Sequence, residues 1–351
     1  MYLSLNILVD QLRDMQCELH LELPSTKSFS HSSLLPRDHG QMQEDFIYVC
    51  RLSEALHAAE ARPGMTYLCL RDRIKDAAET EERLSGMIVV NENLDMESLF
   101  TLIQDTFFKI SEWNRRMLEA VIYNKGIQDI IDLSEDVIGN TINVSDSAFT
   151  LLARTKNIPT DDPISMTLAE CGYHPDSTLQ LFRKNHRFEV WDDTPSLIIN
   201  DERTLGRYTL INKIFRFHNT YFTHVVMVCD HKLPTPGLLD LFQILVDILS
   251  VYMKRDWDMK NALSHNYDSF LTDLLDGTLV RKEEIEDRAR HIGLPTTGQF
   301  NLIKIAVAPG TEASLGRLGR ELSEMLPGAK VLIYQQAVIV LDHRQGGSVN
   351  D

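Results

Sequence analysis

The residues that could do chemistry are few. His218 and His224 fall on either side of an expected hairpin, with Asp230 and His231 just beyond. Imidazoles on neighbouring strands can share an ion. No third and fourth ligand stands at a diagnostic spacing, so no metal site is expected. Seventeen glycines occur, yet neither GxxxxGK[ST] nor GxGxxG is present. Leu315-Gly316-Arg317-Leu318-Gly319 lies inside a helical pattern rather than after a strand. No Gly-x-Ser-x-Gly elbow carries a nucleophile. The acid pairs Asp161-Asp162 and Asp192-Asp193 adjoin prolines and read as turn and helix-start residues, not as a matched acid and base. No catalytic residue and no cofactor is expected. What remains is a cluster suited to binding: Trp191, Arg203, Tyr208, Arg216 and His218. Arginine pairs bidentately with a carboxylate or phosphate, and aromatic side chains supply an apolar wall. These five are the candidate ligand-binding residues.

Three segments must position that cluster. Residues 1–110 alternate helical patterns with short apolar runs at 46–50, 67–70 and 87–90. That alternation predicts a small α/β layer with a largely parallel sheet. Ser53 is the expected cap of a helix over 53–59, and the polar stretch from Pro24 to Gln43 reads as a long loop. Residues 111–258 open on a long helix carrying Trp113, Met117, Val121, Ile127 and Ile131. A strand pair, two short helices and three further strand-like runs follow, and a second long helix from Pro236 closes the unit. Helix, antiparallel sheet and helix is an α+β layout. Residues 262–351 run helix, helix and then β-α-β-β. The expected class is therefore α/β plus α+β in a multi-domain chain. The last sheet reads as cut short.

The helix after Pro236 carries two stripes. Leu238, Leu241, Leu245, Ile248 and Tyr252 step by three and four residues, and Leu239, Phe242, Val246, Leu249 and Met253 repeat the pattern beside them. One stripe suffices to dock a helix on its own domain. The first is the candidate dimer seam, and a wide single face buried in one monomer is the alternative. Asp240, Gln243 and Asp247 interrupt the apolar run, so it is not expected to span a bilayer.

Composition narrows the partners. The 351 residues carry a net charge of −16, which repels phosphate backbones and argues against direct nucleic-acid binding. The hydrophobic fraction of 43% is ordinary for globular cores. Five scattered cysteines, with no CxxC pair, read as buried thiols in a reducing compartment. The N-terminus lacks a basic n-region and a cleavage site, so no signal peptide is expected.

The clearest stretch for comparison is Tyr267-Asp268-Ser269-Phe270-Leu271-Thr272-Asp273-Leu274-Leu275-Asp276-Gly277. It continues through Glu284–His291 and Ile292-Gly293-Leu294-Pro295 to the strand Phe300–Val307. This pattern resembles the opening of the GGDEF-like domain in bacterial transcription regulators of the PucR/CdaR type. Residues 111–258 are similar to their GAF-like sensor domain, most of all over Ile127–Ile138 and Asn143–Leu152. Residues 1–110 are similar to the PucR-type leader domain. The resemblance implies a cytoplasmic, homodimeric regulator that senses a small-molecule effector. Its DNA contact would come only through a helix-turn-helix that this sequence lacks. A protein that forms mixed dimers with a full-length regulator is the alternative, and a cyclic-dinucleotide enzyme is a further one. The turn Tyr334-Gln335-Gln336-Ala337 offers neither the glycine nor the carboxylate that cyclase chemistry needs.

Overall fold

The computed structural model describes residues 1–72, 81–92, 94–146, 149–187, 190, 196–201, 206–217, 220–291, 294–307, 315–326 and 328–344. The chain is mixed α/β, with several separate sheets.

The first unit holds β1 (Leu3–Ser4), α1 (Leu5–Gln11), β2 (Cys17–His20), β3 (Ser28–Phe29) and β4 (His31–Leu34). It continues through β5 (Phe46–Arg51), α2 (Leu52–Ala61), β6 (Thr66–Leu70), α3 (Glu81–Leu84) and β7 (Met87–Val90). Its main sheet has the order β2-β7-β6-β5-β4, with β4 to β7 parallel and β2 antiparallel on β7. The apolar runs are continuous because both faces are covered. Tyr48, Cys50, Tyr67 and Cys69 pack under α2. Ile47, Val49, Leu68 and Ile88 face the opposite layer.

Two expectations fail in this unit. The stretch from Pro24 to Gln43 is not a loop throughout, because β3 and β4 lie within it and β4 forms the parallel edge on β5. Backbone pairing there needs no apolar side chains, and Gln104 fastens the edge by donating to the Ser32 hydroxyl and carbonyl. Nor does Ser53 cap α2. The helix begins one residue earlier, and the Asp72 carboxylate accepts from both the Ser53 N–H and hydroxyl. An anion from the neighbouring strand end thus sits where a cap's oxygen would.

The second unit holds α4 (Met96–Ile122), α5 (Ile127–Ile138), β8 (Thr141–Asp146), β9 (Leu151–Arg154), α6 (Pro163–Cys171), α7 (Asp176–Lys184), β10 (Ile198–Asn200), β11 (Leu210–Phe217), β12 (Thr220–Val228) and α8 (Pro236–Leu275). Its sheet is antiparallel throughout, in the order β10-β11-β12-β8-β9. Alternate residues point to opposite faces. Ile142, Val144, Ile211, Val225 and Met227 pack on α4, α5 and α8. The other face lies under α6 and α7.

The two long helices overrun the expected segment boundaries. α4 crosses residue 110 without a break but ends at Ile122, so the one helix expected from Trp113 to Ile131 is two: the chain turns at Asn124, in the left-handed region, and α5 starts afresh after Gly126. α8 continues through residues 258–266, joining two helices that the sequence reading kept apart. Both overruns have the same reason: no glycine or proline interrupts residues 96–122 or 238–275. Arg255 of α8 donates to the Val121 carbonyl and to Asn124 Oδ1, capping the C-terminus of α4. At its other end, α8 meets α1. Asp240 accepts from Ser4 Oγ (2.5 Å) and Asn6 Nδ2 (2.8 Å), and the Thr235 hydroxyl donates to Asp10. The segment Pro236–Asp256 is long and apolar enough to cross a membrane. Here it lies within the core built by the first two units.

The last unit holds α9 (Lys282–His291), β13 (Gln299–Ala306), α10 (Leu315–Met325), β14 (Lys330–Tyr334) and β15 (Ala337–Arg344). Its antiparallel sheet has the order β13-β15-β14. One face packs on α10. The other packs on α9 and on Phe270 and Leu271 near the end of α8. Gln335 and Gln336 both adopt positive φ in the tight β14–β15 turn, the geometry of a two-residue type I′ hairpin.

Candidate functional site

Polar side chains rarely occupy the covered face of a sheet unless they bind each other or something else. The face of the second sheet under α6 and α7 carries several. Asn143 and Ser145 come from β8, Asn212 from β11 and His224 from β12. All four are buried. They sit there because each strand keeps period-2 alternation, with aliphatics toward α8 and these residues opposite.

The helices and loops close over them. Asp162 caps α6 by accepting from the Ser165 N–H at 2.8 Å, in keeping with its expected role as a helix-start acid. Ser165 in turn accepts from Asn143 Nδ2 at 2.9 Å. Gly172 ends α6 in the left-handed region with φ of 75°, which turns the chain back so that His174 faces inward. Arg187, just past α7, donates to Asn200 Oδ1 at the end of β10. Together these residues and the apolar Ile164, Leu168, Phe182, Leu210, Val226 and Val228 line a partly open cavity of about 40 Å³. That exceeds the roughly 10–15 Å³ a cavity needs to hold an ordered water.

The electrostatics are set by burial. His224 is 2% exposed, and its desolvation pushes the imidazole pKa down to about 3. Its Nε2–H donates to Asn212 Oδ1 at 2.9 Å, while Asn212 Nδ2 faces the Ile198 carbonyl at 3.4 Å. His174 lies edge-on between Phe149 and Phe182. Burial lowers its pKa to about 4, and its Nδ1 has no hydrogen-bond partner among the described residues. Both imidazoles are therefore neutral near pH 7. Among the described residues of the lining, Arg187 is the cation and Asp162 the acid. The arrangement can hold a small polar solute. It offers no activated nucleophile, and no group of three or more His, Cys, Asp or Glu residues that could hold a metal is found among the described residues.

Two of the five residues of the expected binding cluster, Tyr208 and Arg216, are described. Trp191, Arg203 and His218 lie outside the described residues. Tyr208 precedes β11 and donates to Asp161 Oδ1 at 2.6 Å, beside the Arg207–Asp161 ion pair. Arg216 sits half-buried after the bulge at Phe215/Arg216. Neither lines the cavity. Asn143, Asn212, His174 and Arg187 carry no signal in the sequence, and His224 stands out there only as a possible metal ligand. Polar residues alternating along strands look like a solvent-facing sheet surface, and only the two flanking helices turn that face inward.

The dimer-seam residues also have a clear place. Leu238, Leu241, Leu245 and Ile248 are buried in the chain's own core, as is the second stripe apart from the half-buried Leu239. Tyr252 is half-buried under the Arg255 guanidinium, 5.5 Å from its ring centre. Cys50, Cys69 and Cys229 are buried thiols as expected, Cys17 is half-buried, and Cys171 is exposed on α6. Comparison with protein-family models finds no match to this sequence, and comparison with curated proteins likewise finds no matching relative.

Proposed function

We propose that this chain is the sensing portion of a transcription regulator of the PucR/CdaR type, holding a small polar effector in the cavity of its second unit. The observation that carries this reading is the polar-lined cavity itself. A covered sheet face that keeps Asn143, Asn212, His224, His174 and Arg187 buried loses packing stability relative to an apolar face, and ligand recognition is the return for it. The opposite face of the same strands rests on α8, so a change of shape at the cavity has a direct route into that helix. Thr223 on β12 already touches Met253 of α8 through its hydroxyl. DNA contact, in this reading, belongs to a helix-turn-helix outside this sequence, and the protein works as a homodimer. A cyclic-dinucleotide enzyme is disfavoured by the β14–β15 turn, whose two positive-φ residues are glutamines.

Thermal denaturation of the whole chain against a panel of small polar metabolites tests the reading. A true effector stabilises by mass action, by about 2.7 kcal/mol at a hundredfold excess over Kd. Asn212→Leu, which removes the hinge of the His224 network, should abolish that shift. A panel without any shift on well-folded protein would overturn the proposal.

A further inference from the structure

Resting on the homodimer of the sensor reading, the outer face of α4 points to where two copies meet. We infer that α4 packs antiparallel on α4 of a second copy of this chain, about a two-fold axis near Arg115.

Three observations carry this. The first is an outward apolar pair. Phe108, Arg115 and Ile122 are spaced by seven residues, so they share one line along the helix. Phe108 and Ile122 are 72% and 71% exposed. Trp113, Met117 and Ala120, on the other side of α4, are buried in the chain's own core. The line is therefore a second face, turned away from that core. The second is symmetry. Phe108 and Ile122 stand equally far from Arg115, about 10 Å along the axis at 1.5 Å per residue. A two-fold at Arg115 sets each phenylalanine against the other copy's isoleucine, and the contact closes at two copies. The third is charge. Asp105, Lys109, Glu112, Arg116 and Glu119 alternate in sign along the rim beside that line. Antiparallel packing brings Lys109 opposite Glu119, and Glu112 opposite Arg116, across the two copies, each pair twice. Parallel packing in register would set like charge on like. Arg115, on the axis, is already held by Glu112 at 2.5 Å and by Glu119. The two guanidiniums thus meet within a ring of carboxylates.

Light scattering of the full chain over a concentration series reads the interface. A dimer is expected. Phe108→Glu and Ile122→Lys should each weaken it about tenfold or more, with circular dichroism unchanged because both side chains lie outside the core. The double variant should recover a dimer close to the parent's affinity, since each new carboxylate faces a new amine across the axis. In a parallel pair the same double variant sets like charge on like. A double variant that associates no more tightly than either single one would overturn the inference. If both single variants dimerise like the parent, the copies meet elsewhere, so the inference falls and the homodimer stands. A parent that is monomeric throughout removes the inference and the homodimer together, while the metabolite panel still judges the cavity.

Discussion

His224 and His174 couple the cavity to pH. Both have folded pKa values, about 3 and about 4, below the value near 6.5 of an unfolded chain. Between those limits the unfolded state binds more protons, so stability rises with pH. Their contribution is complete above about pH 6.5 and is lost as pH falls toward 4 and below. Each can add a slope of up to about 1.4 kcal/mol per pH unit. Urea midpoints measured from pH 7 to pH 4.5 should fall steadily, and His224→Gln should flatten that fall by removing one of the two groups. An unchanged slope in the variant would mean that His224 titrates normally. The same residues show where the sequence was opaque. The helix-start role of Asp162 was legible from the proline after it. The inward role of Asn143, Asn212 and His224 was not, because whether a polar strand face meets water or protein depends on α6 and α7, elements distant in sequence. Of the two arginines in the expected cluster, Arg216 is described and does not line the cavity, while Arg187, outside that cluster, does.

At the scale of elements, α8 is the organising piece. Its start is held against α1 at very short range. A Cβ on Gly237 would come within 2.6 Å of the Asn6 carbonyl oxygen as well as meeting the Asp10 carboxylate. Backbone cannot give way there as a flexible side chain can, so Gly237→Ala should cost about 1–3 kcal/mol despite alanine's better helix propensity. Asp240→Ala should cost about as much, because it strips the acceptor from Ser4 and Asn6. Chemical denaturation reads both, and a stabilised Gly237→Ala protein would refute the tight α1–α8 approach. Leu245→Glu tests the placement of the candidate dimer seam. With Leu245 fully buried in its own chain, the charge should unfold the monomer core rather than release a folded protomer. A folded, monomeric variant by light scattering and circular dichroism would show instead that the stripe faces a partner. Most strands and short helices were legible, since each is an uninterrupted run of the right period. The extents of α4 and α8 were not: the apolar period carries on past Ile122 although the chain turns at Asn124 and Gly126, and it fades over 258–266 although no glycine or proline breaks the helix there.

For the whole molecule, the distribution of core matters more than the three-segment reading. One continuous cluster runs from Leu3 through Ile47, Leu99, Trp113, Ile130 and Val144 to Met253. It includes the first sheet's inner face, the second sheet's inner face and all the long helices between them. The first two units therefore share a core, and neither can lose the other without exposing Leu238, Leu241 and Phe242. The last unit has its own clusters around Phe270, Leu279 and Ile339 and around Leu315, Val338 and Val340. It meets the rest chiefly along α8. Scanning calorimetry should accordingly show two transitions rather than one or three. Unfolding enthalpy scales with residue number, at about 0.7 kcal/mol per residue near 60 °C. With the dividing point on α8 near residue 260, the first two units should absorb about three times the heat of the last. The smaller transition should come at lower temperature, because the last sheet leaves Leu302 and Ile303 of β13 exposed and has less apolar area to lose. A bound effector should raise the larger transition alone. If residues 1–95 unfolded separately from residues 96–258, the shared core would be wrong. If the smaller transition moved with ligand, then α8 would be transmitting occupancy of the cavity into the last unit.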